Sequence, residues 1–387
     1  MIITMNKTRT RFAPSPTGYM HIGNLRTALF EFLIAKHEGG DFLLRIEDTD
    51  QERKVEGAVD VIYKTLKECG LNWDEGPDIG GDFGPYVQSE RLPMYKGYAE
   101  DLIKLGGAHY CFCSEEEIEA QRKEAESLGI SFKFNDPCKH LSAEEVQAKL
   151  DAGEPYVIRQ TIKDVGETYF DDEVYGRIEV DGDVLDEQIL IKSDGYPTYN
   201  FANIIDDHQM QISHVVRGNE YLSSTPKYNL IYDAYGWQRP TYVHVPPVMK
   251  DEHHKLSKRN GDASFQDLVA KGYLPDAIMN YIALLGWAPE TEQEIYTLDE
   301  LIKVFNIHRI SKSPAIFDID KLTWMNGVYL RNMDEETYYE TVRPYLEKAV
   351  HGAYNLKEIA KIIQPRIDIL NQIEESVDFF DTLVDYD

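Results

Sequence analysis

Pro14-Ser15-Pro16-Thr17-Gly18-Tyr19-Met20-His21-Ile22-Gly23-Asn24 is the stretch on which the reading of this chain turns. An extended segment, Thr8 to Ala13, leads into it. A helical pattern follows, with Leu25, Ala28, Leu29, Phe32 and Leu33 on one face. Gly39-Gly40 ends that helix. A strand, a tight turn and a helix start leave backbone N–H groups pointing outward, a setting that suits an anion. Far along the chain, Lys255-Leu256-Ser257-Lys258-Arg259 gathers three cations around one serine, which suits phosphate oxygens. Alone, the first reads as a capped turn and the second as solvated surface. Together they predict two clamps on one nucleotide triphosphate. Neither G-x-G-x-x-G nor G-x-x-x-x-G-K-[ST] occurs, so dinucleotide and P-loop sites gain no support.

The two segments resemble the paired signatures of class I aminoacyl-tRNA synthetases. Neighbouring words resemble the glutamyl members of that class, as a bacterial type: Arg11-Phe12-Ala13-Pro14-Ser15-Pro16-Thr17-Gly18, Arg45-Ile46-Glu47-Asp48-Thr49-Asp50, Ser193-Asp194-Gly195-Tyr196-Pro197-Thr198-Tyr199 and Lys321-Leu322-Thr323-Trp324-Met325-Asn326-Gly327. They run through nearly the whole chain in the family's order. Asn24 stands where the class signature ends in His, a departure that glutamyl members tolerate.

With 387 residues the chain exceeds one core and should divide into two to four domains. A hydrophobic share of 42% marks a folded globular protein. No apolar run reaches membrane-spanning length and no signal-peptide core opens the chain, so a cytoplasmic protein is expected. The net charge of −28 argues at first against a nucleic-acid partner. Phosphate binding depends on local basic patches, however, not on the total.

Residues 8 to 70 read as strand, helix, strand, helix, with Phe42 to Ile46 a buried strand. An acidic helix-prone run, Glu115 to Glu126, and strand signals at Tyr156 to Ile162 and Val184 to Ile191 mark a different region. Apolar strands resume at Ile212 to Val216 and Thr241 to Val245, flanking a helix at Pro226 to Tyr235. The pattern predicts an α/β fold: a doubly wound, Rossmann-like parallel sheet (1–87 and 193–250) interrupted by an inserted α+β domain (88–192). Helical regions follow at 251–330 and 331–387, among them Asp276 to Leu285, Leu298 to Phe305, a stripe of Ile359, Ile362 and Ile363, and a further helix opened by Pro365. The resemblance makes the insertion an acceptor-binding domain, 251–330 a stem-contact domain, and 331–387 the start of a truncated anticodon-binding region.

Activating a carboxylic acid with ATP is an in-line attack on the α-phosphate, so catalysis is positioning plus cationic donors. His21, Lys255 and Lys258 are the catalytic candidates. His21 would donate to the α-phosphate, Gly23 would admit the adenine, and Lys258, assisted by Lys255, would follow the outer phosphates. Gly261-Asp262 would let the basic loop close. The ATP-binding set is Pro14, His21, Gly23, Asn24, Lys255, Ser257 and Lys258, with Mg²⁺ as phosphate partner.

A buried γ-carboxylate calls for a bidentate arginine, and Arg11 and Arg217 fall at strand ends. The resemblance assigns L-glutamate contacts to Arg11, Ala13, Ser15, Tyr199, Asn203 and Arg217, and the α-ammonium to Glu47. Arg45 offers Glu47 a competing structural partner. Cys111-x-Cys113 and, 24 residues on, Cys138-x-His140 fit tetrahedral zinc, and some members of the family carry a structural zinc this way. Cys69 ends an apolar helix and is expected to be buried and inert.

The implied activity is ATP-dependent ligation of L-glutamate to tRNA(Glu) through a glutamyl-adenylate, with AMP and pyrophosphate released by a monomer. A glutamyl transferase acting on a modified tRNA base is set aside because such relatives lack the helical C-terminal part. A silent tRNA-binding relative would not need His21, Lys255 and Lys258 together. Arg159, Lys163, Arg177 and Lys192, the scattered bases of the insertion, read as solvated surface.

Overall fold

The structure, a computed structural model, describes residues 7–50, 55–163, 166–256 and 264–380. Its first elements are β1 (Arg9–Phe12), α1 (Ile22–His37), β2 (Asp41–Leu44), α2 (Ala58–Glu68), α3 (Leu92–Lys104), β3 (Ala108–Cys111), α4 (Glu115–Ser127) and α5 (Ala143–Asp151). Next come β4 (Val157–Gln160), β5 (Glu167–Asp172), β6 (Gly176–Asp181), β7 (Ile189–Ile191), α6 (Tyr199–Gln209), β8 (His214–Gly218), α7 (Thr225–Tyr235) and β9 (Thr241–Val245). The remainder is mainly helical: β10 (Val248–Met249), α8 (Phe265–Ala270), α9 (Pro275–Ala283), α10 (Leu298–Val304), β11 (Ala315–Ile316), α11 (Ile319–Asn332), α12 (Glu335–Ala349), α13 (Leu356–Ile363) and α14 (Ile373–Val377). Two compact units divide the chain, one of 1–16, 39–54 and 73–244, the other of 17–38, 55–72 and 245–387.

The first unit is mixed α/β with parallel strands. β1 and β2 pair in parallel, from Arg9↔Asp41 to Phe12↔Leu44, and β1 is buried along its whole length, as a strand covered on both faces must be. Gly40 permits that pairing, because a Cβ there would stand 2.0 Å from the carbonyl oxygen of Thr8. The N–H of Ser213 bonds the carbonyl of Arg9 at 2.9 Å and the N–H of Thr241 bonds the carbonyl of Ser213 at 2.8 Å, linking the starts of β1, β8 and β9. β5 joins β9 in parallel through Asp172↔Tyr242, and β6 returns antiparallel to it. A separate antiparallel sheet has the order β3-β4-β7. Its Ile158, Leu190 and Ile191 share one core with Tyr95 of α3, Phe201 and Ile205 of α6, and Tyr228 and Ile231 of α7. The segments 88–192 and 193–244 therefore lie in one compact unit, with the β5–β6 hairpin on the edge of the β8–β9 sheet, and 245–250 belong to the other unit.

In the second unit α1 is buried nearly all round, Ile22, Arg26, Phe30, Glu31 and Ile34 included, so the apolar face read from sequence is only part of its buried surface. Phe30 lies 5.5 Å from the ring of Phe305, and His37 meets the carbonyl of Ile302 at 2.7 Å. Further along, Tyr338, Val342, Leu346, Ile359, Ile363 and Ile367 close a helical core. Ile362 instead points to solvent, and Pro365 lies in the turn after α13, with helical structure resuming only at Leu370. The helix expected to open at Pro365 is therefore absent at that position. Among the described residues no helix is long and apolar enough to cross a membrane.

Candidate active site

His21 is the N-cap of α1. Its Nδ1 accepts the N–H of Gly23 at 3.0 Å, so the ring proton sits on Nε2, which meets the carbonyl of Leu256 at 3.1 Å. That second contact joins the two signature segments inside one unit. A Cβ on Gly23 would come 3.2 Å from His21 Nδ1. Sequence reasoning reserved that space for adenine; the structure shows that the capping imidazole also needs it. Lys255 and Asn24 are exposed. Ser257, Lys258, Gly261 and Asp262 lie outside the described residues.

The first unit holds a buried cluster of charges. Arg11, on β1, makes a bidentate pair with Asp207 on α6, Nε to Oδ1 at 2.9 Å and Nη2 to Oδ2 at 3.2 Å. Arg45, 0% exposed, donates to Asp207 Oδ1 at 2.8 Å and, through Nη2, to Glu47 Oε1 at 3.0 Å. Asp206 accepts from Arg91 Nε at 2.7 Å, from Tyr95 at 2.8 Å and from Gln88 at 2.9 Å. Burial raises the Asp207 carboxyl, but Arg11 and Arg45 beside it more than offset that and hold it below the ordinary value. Glu47 goes the other way: desolvation wins over Arg45 and Arg11 and pushes it up to about 7. Both Arg45 contacts fall on Oε1 of Glu47, and among the described residues no donor reaches Oε2.

Arg217, near the end of β8, is buried yet has no carboxylate partner among the described residues. Its Nε donates to His244 Nε2 at 3.1 Å and its Nη2 to Thr225 Oγ1 at 2.8 Å. Rings of Tyr228, Tyr221 and Tyr242 surround the guanidinium at 4.8, 5.2 and 5.5 Å. Tyr199 lies 5.6 Å from Tyr221, ring to ring. Asn203, Asp207 and Arg217 line one small cavity, and the Nδ2 of buried Asn203 has no partner among the described residues. Ala13 and Pro14 are half-buried and Ser15 is exposed on the segment after β1. Five of the seven residues expected to contact glutamate thus bring buried or aromatic groups to this unit: Arg11, Glu47, Tyr199, Asn203 and Arg217.

Asp206, Asp207, Arg91 and His244 escaped sequence reasoning. A signal existed for three of them. Asp206-Asp207 closes the apolar run Phe201-Ala202-Asn203-Ile204-Ile205, and His244 interrupts the apolar Val243 and Val245 of a strand. Polar groups in such settings need buried partners.

Cys111, Cys113 and Cys138 converge, with the Sγ atoms of Cys113 and Cys138 3.7 Å apart. The fourth group whose donor atom lies within 4.8 Å of theirs is Asp136, whereas His140, expected there from spacing, is exposed on the same short turn. Tetrahedral zinc with Zn–S bonds of about 2.3 Å separates its sulfurs by about 3.8 Å, so the thiols fit that ion. Asp136 Oδ2 accepts from His109 Nε2 at 3.0 Å, with Arg159 Nε at 3.4 Å, and its Oδ1 takes the N–H of Cys138 at 2.9 Å. Arg159 is therefore a buried partner of this cluster and not solvated surface. Arg177 pairs with Glu179, and Lys192 with Asp194. Cys69 is buried and pushed far above the ordinary thiol value by desolvation.

Residues 7–324 match the family of tRNA synthetases class I (E and Q), catalytic domain. The glutamate–tRNA ligase of Clostridium botulinum is 60% identical over 381 residues, 98% of this chain and 79% of that protein. That of Clostridium acetobutylicum is 60% identical over 383 residues, 99% of this chain and 79% of the relative. The crystal structure of a glutamate tRNA ligase from Elizabethkingia meningosepticum in complex with its amino acid superposes with a TM-score of 0.91 at 37% identity, covering 97% of this chain and 80% of that one.

Proposed function

The chain belongs to the class I tRNA synthetases of glutamate and glutamine, and we propose from that premise how its own residues select glutamate and make the adenylate. It is an aminoacyl-tRNA synthetase that uses ATP, glutamate and tRNA. In the first half-reaction an oxygen of the glutamate α-carboxylate bonds to the α-phosphorus of ATP as the bond to pyrophosphate breaks. In the second, the tRNA terminal hydroxyl bonds to the activated carbonyl carbon, its proton is lost, and AMP leaves.

The observation that carries the choice of glutamate is that Arg217, though buried, has no carboxylate partner among the described residues. Arg11, Arg45 and Arg91 are matched by Glu47, Asp206 and Asp207. Arg217 adds a further cation that meets no carboxylate directly among the described residues, in a cage of tyrosines. A buried guanidinium in that state favours a carboxylate ligand over a neutral amide. We assign the γ-carboxylate to Arg217 with help from Asn203 Nδ2, and the α-ammonium to the open Oε2 of Glu47. Arg11, already saturated by Asp207 on one edge, shapes the wall together with Ala13, Ser15 and Tyr199.

For the phosphates we assign His21, Lys255 and Lys258 to charge stabilisation, with Pro14, Gly23, Asn24 and Ser257 around the nucleotide and Mg²⁺ on the outer phosphates. A zinc ion would be held by the thiolates of Cys111, Cys113 and Cys138, and would fasten the segment between them. Spacing supplies His140 as the fourth donor and geometry supplies Asp136. In this proposal the protein acts as a monomer on tRNA(Glu) in the cytoplasm, where free thiols such as these persist. We assign 88–192 to gripping the acceptor end and 331–387 to the anticodon-binding region.

The test is glutamate-dependent ATP–pyrophosphate exchange with and without tRNA, on wild type and Arg217→Ala. Exchange that requires tRNA in wild type, and loss of glutamate use with ATP binding retained in the variant, are the expected results. Glutamate turnover at the wild-type KM after Arg217→Ala refutes the pocket assignment.

A further inference from the structure

Asp172 and His244 are fully buried and neither contacts Glu47, Arg11 or Asp207 in the described structure. Asp172 sits at the end of β5, where Oδ1 accepts the backbone N–H groups of Val174 at 3.0 Å and Tyr175 at 2.8 Å. Its Oδ2 faces His244, the backbone N–H at 3.1 Å and Nδ1 at 2.6 Å. A carboxylate gripped this way only accepts, so His244 Nδ1 carries the proton. Arg217 only donates, so His244 Nε2 must present its lone pair. Two independent partners thus fix one neutral tautomer.

The consequence falls on Arg217. Its Nε hydrogen is held by His244, and one Nη2 hydrogen by Thr225, whose own hydroxyl donates to the carbonyl of Tyr221 at 2.8 Å. These contacts use one side edge of the guanidinium. The end edge, formed by Nη1 and the second Nη2 hydrogen, has no partner among the described residues. Two parallel N–H groups on one edge are what a carboxylate accepts in bidentate fashion.

We propose that Asp172 and His244 are positioning residues that orient Arg217 so that its free edge reads the substrate carboxylate. The proposal rests on the assignment of that carboxylate to Arg217. A merely structural histidine would need a partner but not a particular tautomer, and it would not alter amino-acid selectivity.

Two substitutions separate these roles. His244→Asn places an amide donor where Nδ1 faces Asp172 and removes the acceptor for Arg217. His244→Gln places an amide oxygen near the Nε2 position and keeps that acceptor. His244→Asn should raise the KM for glutamate at least tenfold, reduce selectivity over glutamine, and leave the KM for ATP within about twofold. His244→Gln should stay within about threefold of wild type in KM for glutamate. An unchanged glutamate KM in His244→Asn, or equal damage in both variants, overturns the proposal. Arg217→Ala run alongside distinguishes the two levels: if it keeps the wild-type glutamate KM, the underlying assignment fails; if it loses glutamate while His244→Asn does not, only this inference fails. Should His244→Asn not fold, ¹⁵N-histidine spectra of the wild-type protein decide. A neutral His244 protonated at Nδ1, whose Nε2 resonance moves on adding glutamate but not ATP, is expected; an Nε2-protonated ring refutes it.

Discussion

Glutamate binding should weaken as pH falls through neutrality, and Glu47 is the reason. Desolvation pushes its carboxyl up to about 7, while Arg45 occupies only Oε1. If the α-ammonium of glutamate docks on Oε2, it binds the ionised form alone. A value near 7 leaves about nine-tenths of Glu47 ionised at pH 8 and about one-tenth at pH 6, so the apparent KM should rise about tenfold across that interval. Binding near pH 7 should also release about half a proton, measurable by calorimetry in buffers of different ionisation enthalpy. E47Q should bind glutamate poorly at both pH values and flatten the profile. The sign for stability is opposite to that of an ordinary carboxylate. The folded state holds a proton that the unfolded state releases between 4.5 and about 7, so Glu47 costs stability as pH rises through that window. E47Q should therefore raise the melting temperature more at pH 8 than at pH 5. A glutamate KM that is flat from pH 6 to 8, or an E47Q profile that follows the wild-type one, would refute the assignment of Glu47 to the ammonium.

Asp207→Ala strands two buried guanidiniums, and breaking such a pair costs about 3–5 kcal/mol, hence a melting temperature lower by about 6–20 °C. Because its folded carboxyl sits below the ordinary value, its stabilisation is present above that value and lost only as pH falls beneath it; acid unfolding curves of wild type and variant should therefore converge. Gly23→Ala brings a methyl to 3.2 Å from His21 Nδ1 and should lower the exchange rate by about ten- to a hundredfold with little change in stability; full activity would remove His21 from the phosphate step. Metal analysis of protein purified without added zinc should give about one equivalent, and Cys113→Ser should lose it. Asp136→Asn and His140→Ala then decide the fourth donor, since only the true ligand's variant should lose the metal.

The parts of this molecule that were legible in the sequence are those set by local pattern. Strand β9, helix α7 and the acidic helix α4 follow from periodicity, caps and breakers, and all appear close to where the pattern puts them. Helix α4 also carries a capping box made by Ser114 and Glu117, with an acidic first turn that its solvated face tolerates. The β5–β6 hairpin was harder, because which sheet a hairpin joins depends on a pairing between residues distant in sequence, here Asp172↔Tyr242. Pro365 misled for a related reason. A proline fits both the first turn of a helix and the loop after one, and the burial of Ile367 and Leu370 by α12 and its neighbours decided for the loop.

Site residues divide along the same line. His21 and Gly23 are legible because the capping imidazole and the glycine are two residues of one turn, and the contact that completes them is to a backbone carbonyl. Arg11, Glu47 and Arg217 could be nominated from type and position, but their roles could not be told apart, because each is defined by what already occupies it. Asp207 saturates one edge of Arg11, Arg45 takes one oxygen of Glu47, and Arg217 has a neutral imidazole and a hydroxyl in place of an anion. Arg11, Arg45 and Arg91 each meet a carboxylate directly, whereas among the described residues Arg217 reaches the carboxylate of Asp172 only through the neutral ring of His244. Asp172 is spent on fixing His244, so the free edge of that guanidinium still lacks a carboxylate among the described residues, and in this assignment the substrate's own carboxylate fills it.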